Sequence, residues 1–121
     1  MSEKLWRTAA IVWMISIFIL SVMTAPSLPH SEWLGFDKIA HFGCYLLLTW
    51  LILGAWRNDF FSIQKKYIIV IICVSMYGVG IEFIQEFLPE RYFEVPDIIA
   101  NIIGSFAGVI SYPLVSLVVK R

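Results

Sequence analysis

The sequence predicts an all-α integral membrane protein, a four-helix bundle with both termini on the cytoplasmic side. Three observations lead there. Of 121 residues, 60% are apolar and 15% charged, with a mean hydropathy of +0.81, whereas a soluble domain holds about 45–50% apolar and about 25% charged residues. The apolar residues gather into four runs, each long enough to cross about 30 Å of hydrocarbon. Most of the cations fall on one side of those runs. Residues 1–121 therefore read as one transmembrane domain, with room for four or at most five helices and for no separate extramembrane domain.

The first run, residues about 6–24, follows Lys4 and Arg7 as a signal peptide would. Pro26 stands where cleavage after Ala25 would fall, so the run is expected to stay as a membrane helix. The second covers residues about 38–56 and stops before Arg57-Asn58-Asp59. The third, about 67–87, begins after Lys65-Lys66 and stops before Leu88-Pro89. The fourth, about 97–119, opens behind Pro96, a residue suited to a first helical turn. The connections carry proline, asparagine and charge and read as loops. Trp6, Trp33, Trp50 and Trp56 lie near span ends, where an aromatic belt is expected. Cys44 and Cys73 sit inside apolar runs, which excludes a disulfide framework.

Nine cations balance nine acids, but their distribution is uneven. Lys4, Arg7, Arg57, Lys65, Lys66, Lys120 and Arg121 fall on the side that holds both termini, and only Lys38 and Arg91 on the other. This asymmetry puts the termini in the cytoplasm. Seven acids (Glu32, Asp37, Glu82, Glu86, Glu90, Glu94 and Asp97) lie at or toward the outer face, which makes that face the chemically loaded one. No basic stripe is available for nucleic acid.

The two outer loops echo each other at an offset of sixty. Leu28 and Leu88, Pro29 and Pro89, Asp37 and Asp97, Ile39 and Ile99, and Ala40 and Ala100 are identical pairs, and His41 aligns with Asn101. This suggests a parallel repeat of helical hairpins about an axis along the membrane normal, with helices two and four in equivalent positions.

Polar side chains inside a span are costly and face the bundle interior, so each is a functional candidate. His41, Glu82 and Asn101 fall about 6–8 Å below the outer ends of their helices, counted at 1.5 Å per residue. Asp37, His41 and Tyr45 share one face; so do Glu82, Gln85 and Glu86, and Asp97, Asn101 and Ser105. An aspartate one turn from a histidine is placed to accept its ring N–H. Lys38 and Arg91 stand at the same rim, and the N-termini of helices two and four point there with dipoles that favour anions. His41 and Glu82 are thus candidate acid–base groups, and Asp37, Lys38, Gln85, Arg91, Asp97 and Asn101 candidate ligand-binding residues.

Gly104 and Gly108, with Gly78 and Gly80 opposite, read as sites of close helix packing. A divalent metal on His41, Glu82 and Asp97 would rest on one histidine and carboxylates from separate helices, a thin donor set, so neither metal nor cofactor is expected. Cys44 lies one turn from His41 but lacks a third orienting group for nucleophilic catalysis, and there is no phosphate-binding glycine loop and no G-x-S-x-G.

The stretches Asp37-Lys38-Ile-Ala-His41-Phe42-Gly-Cys-Tyr45, Gly78-Val-Gly-Ile-Glu82-Phe-Ile-Gln85-Glu-Phe87-Leu-Pro89-Glu-Arg91 and Asp97-Ile-Ile-Ala100-Asn101-Ile-Ile-Gly104, closed by Gly108, resemble the VanZ-like membrane proteins. The resemblance runs from helix two into helix four. It departs at Glu90, where the family often has glycine, and at Glu94, where a small hydroxyl residue is common. It implies a small multi-span protein of the bacterial inner membrane and cell envelope, and an association with resistance to teicoplanin-type glycopeptide antibiotics. It brings no defined reaction.

Three functions follow. The first is a membrane-embedded site for an anionic, lipid-linked or envelope-derived ligand, with or without turnover by His41 and Glu82. The second is a structural or accessory protein whose polar residues set helix packing. The third is a small transporter, disfavoured because no polar residue lines the inner half. Membrane lipid is the expected surrounding partner, and association with further copies of the chain is compatible with four spans.

Overall fold

The computed structural model describes residues 1–23, 30–89 and 91–120, and the side chains of 30–34 are outside that description. Pro26, Leu28, Pro29, Glu90 and Arg121, and the side chains of Glu32 and Trp33, therefore lie outside the described residues. Among the described residues four helices make up the fold: α1 (Glu3–Val22), α2 (His30–Ala55), α3 (Ile63–Glu86) and α4 (Val95–Val119). All four are long and apolar enough to cross a membrane.

The caps follow local sequence. Ser2 and Ser62 each accept a backbone N–H three residues on, at Leu5 and Lys65, as N-cap serines do. Pro96 sits in the first turn of α4, where its missing N–H costs nothing. Helix α2 departs from expectation, beginning at His30 and not near residue 38. The apolar run marks where hydropathy rises, but no proline interrupts residues 30–55, so the helix continues upstream through polar sequence. Asp37 and Lys38 are in consequence helical and not loop residues.

The bundle buries polar side chains beside an apolar core and is apolar outside. Glu82, Asn101, Thr49 and Ser105 are at most 1% exposed, while Phe36, Phe87 and Ile110 are at least 75% exposed. This arrangement suits lipid, where outward apolar side chains meet hydrocarbon and polar ones must find partners within the protein. The apolar core runs through Ile17, Leu48, Val70, Val74 and Val109.

Helices α2 and α4 form the central pair, parallel to each other, with α1 packed on α2 and α3 on α4. Glycines set their approach. A Cβ at Gly104 would run into the backbone carbonyl of Phe42, and one at Gly108 would lie 2.9 Å from the carbonyl oxygen of Leu46. Residues about sixty apart meet along this seam: His41 with Asn101, and Lys38 with Asp97. Gly80, expected to pack closely, faces open space. Trp6 is 5% exposed and lies against Gly54, so it packs α1 onto α2 and does not serve as a belt residue.

At the other end, Lys66 behaves unlike an orientation-setting surface cation. It is 5% exposed, and its ammonium donates to the carbonyls of Trp56, Arg57 and Asp59 at 2.8, 3.2 and 3.3 Å. These are orphan acceptors at and just beyond the C-terminus of α2, where a cation also meets the negative end of the helix dipole.

Candidate functional site

Asp37, Lys38 and His41 on α2, Glu82 and Gln85 on α3, and Asp97 and Asn101 on α4 come together at one end of the bundle. Helical period explains the grouping within each helix, and the α2–α4 seam explains the meeting between them. His41 is the centre. Its Nδ1 lies 2.8 Å from Oδ1 of Asn101, which accepts from this nitrogen when it is protonated. Its Nε2 lies 3.4 Å from a carboxylate oxygen of Asp37 and 3.4 Å from one of Asp97. The ring also stacks on Tyr45, with centroids 6.5 Å apart. With Nδ1 bonded and one face stacked, the imidazole is oriented, and Nε2 lies near two carboxylates without a hydrogen bond among the described residues.

Lys38 lies among carboxylates. Its ammonium donates to Asp97, to Glu94 at 2.7 Å and to Asp37 at 3.4 Å. Glu94 was absent from the candidates and enters here as a third acid on the lysine. One signal was available, since Glu94 stands three residues before Asp97, about one helical turn away. Asp37, His41 and Asp97 place one donor atom each within 4.8 Å of one another, a spacing a divalent cation could bridge. The ammonium of Lys38 already pairs with both of those aspartates, and Glu82 does not belong to the set.

Glu82 is fully buried. Its Oε2 accepts the backbone N–H of Glu94 at 3.1 Å, while Oε1 has no partner among the described residues. Glu86 accepts the N–H of Phe93 at 2.9 Å in the same way. Two acids one turn apart on α3 thus bind the backbone that leads into α4. Gln85 turns the other way and donates to the Ser21 carbonyl of α1 at 3.0 Å. Gly78 leaves room for the network: a Cβ there would lie 2.8 Å from Nδ2 of Asn101, a buried nitrogen without a partner.

Arg91 donates from Nη2 to the carbonyl of Met23 at 2.7 Å, and its buried Nε has no partner among the described residues. Beside it is a half-open cavity of about 340 Å³ between α1, α2 and α3. Asp37, His41, Gln85 and Arg91 form its polar end, and apolar side chains of α1 and α2 form the rest. Glu82, Lys38, Asp97 and Asn101 do not line it. The candidates therefore divide into a group that lines the cavity and a group set away from it, of which Asn101 and Asp97 meet His41.

The sequence profile of the VanZ/LLP1 family matches residues 3–116. Two curated yeast proteins are also similar. An uncharacterized protein of Schizosaccharomyces pombe, C11E3.10, is 35% identical over 68 residues, covering 56% of this chain and 41% of its own length. An uncharacterized protein of Saccharomyces cerevisiae, YJR112W-A, is 36% identical over 80 residues, covering 60% of this chain and 73% of its own. The chain thus spans about two fifths of the first relative and nearly three quarters of the second. No solved structure matches this chain.

Proposed function

Since the chain belongs to the VanZ/LLP1 family, we propose that it is a multi-pass protein of the cell membrane, termini cytoplasmic, which binds an anionic lipid-linked or envelope-derived head group at the outer ends of α2, α3 and α4. One observation carries this reading: His41, bonded on its far side to Asn101, and Arg91 line the same cavity. Arg91 offers planar N–H donors to a phosphate or carboxylate. His41 stands beside it with its orientation already set, the arrangement a proton-transferring group needs.

Of the two acid–base candidates, His41 is the one that reaches a ligand. Glu82 is sealed from the cavity, and we assign it the positioning of the α3–α4 connection through Glu94. Lys38 balances three acids, which leaves Arg91 to hold the anion. The relatives are yeast proteins, which favours a head group of membrane lipids over a component of the bacterial wall. Teicoplanin-type resistance belongs to this proposal only as far as the same site carries it, so that His41→Ala would abolish it in a susceptible host.

The test is native mass spectrometry of the protein purified in mild detergent. An anionic amphiphile should co-purify with the parent chain and be lost in Arg91→Gln and His41→Ala at unchanged membrane abundance. Retention in both variants would reject a ligand site. Loss of abundance in both would favour a purely structural role for these residues.

A further inference from the structure

We infer that the ligand is itself an amphiphile, one hydrocarbon chain of which lies in the cleft between α1 and α2 while its anionic head meets Arg91 and His41. The inference rests on the head-group reading above and chooses a lipid over a water-borne envelope metabolite. The cavity has two chemistries. Its polar lining is formed by Asp37, His41, Gln85 and Arg91, and Ile17, Leu20, Ala40 and Cys44 add an apolar wall. From Asp37 to Cys44 the lining runs seven residues along α2, about 10 Å of helical rise, of which the part past His41 carries no charged side chain. A free phosphate or a sugar head would fill only the polar end and leave that wall empty.

Size and charge agree with this choice. About 340 Å³ stands at the lower end for ligand pockets, roughly 300–1,000 Å³, which suits one chain and not a two-chain lipid whole. The cavity is half open and lies between helices that span the membrane, so a chain can enter sideways from lipid. The guanidinium of Arg91, which lines the cavity's polar end, is complementary to an anion there. Asp37 at the same end repels a bare anion, so the head is expected to carry a hydroxyl or another donor beside its charge.

Cys44 lines the cleft and Cys73 is exposed on α3, which gives a reporter and an internal reference. The full chain, in nanodiscs of phosphatidylcholine, is alkylated with N-ethylmaleimide and both cysteines are quantified by peptide mass spectrometry. Dodecyl phosphate should slow modification of Cys44 at least fivefold and leave Cys73 unchanged. Glycerol 3-phosphate and dodecyl maltoside, which offer head alone and chain alone, should not. Arg91→Gln should raise the dodecyl phosphate concentration needed about tenfold. Ala40→Leu, which narrows the cleft without touching a hydrogen bond, should remove the protection.

Binding of dodecyl phosphate that depends on Arg91 by thermal shift, with Cys44 still modified at its free rate, overturns the chain-in-cleft inference and leaves the head-group reading standing. Equal protection by dodecyl maltoside also overturns it, since the cleft would then take chains without regard to the head. Absence of any binding by both phosphates removes the head-group reading itself.

Discussion

Replacing Lys38 by methionine removes the one ammonium that three carboxylates share while keeping most of the side chain's volume. At about 4 Å and an effective dielectric of about 20, each opposite-charge pair gains about 4 kcal/mol, falling toward about 1 kcal/mol in water. Lys38 and Glu94 are 28% and 29% exposed at their side chains, which screens that pair, but Asp97 is only 6% exposed. Asp97 therefore dominates: an acid left without its partner in a nearly closed site costs about 2–4 kcal/mol. Unfolding of Lys38→Met, followed by loss of helix on titration with dodecyl sulfate, should show that loss. Lys38→Met/Asp97→Asn should recover about 1–3 kcal/mol of it, because the second change removes the charge the first exposes. A Lys38→Met protein as stable as the parent, or strictly additive effects, would refute the claim that this lysine neutralises the cluster.

Other changes read other parts of the structure. Gly104→Leu sets a side chain against the Phe42 carbonyl and should lower stability by about 3 kcal/mol or more, while Gly80→Leu, into open space, should stay within about 0.5 kcal/mol; equal effects in the same unfolding assay would contradict the α2–α4 seam. Lys66→Met leaves three carbonyls without their charged donor and should cost about 2–3 kcal/mol, with faster amide exchange confined to the end of α2 and the turn after it. Unchanged exchange there would show that those carbonyls are capped by something other than Lys66.

Much of the site was legible because helical period is a local property. The steps from Asp37 to His41 and from Asp97 to Asn101 are one turn each, and the echo at sixty aligned His41 with the residue it contacts. What each charge would pair with was not legible. Lys38 and Lys66 look alike as cations at span ends, yet one balances acids and the other caps a helix. Glu94 read as a departure from a family pattern, and it serves as an acid on Lys38 and as the donor to Glu82.

By itself, then, the sequence determined a membrane protein of four helices, the polar face of the second, third and fourth and the end at which those polar residues collect, since hydropathy and the 3.6-residue period act along the chain. Only the tertiary structure decided that His41 and Arg91 open on a cavity while Glu82 and Lys38 stand behind it. That division depends on how closely α2 and α4 approach at Gly104 and Gly108 and on where α1 leaves space beside them, distances between helices that no pattern along one chain encodes.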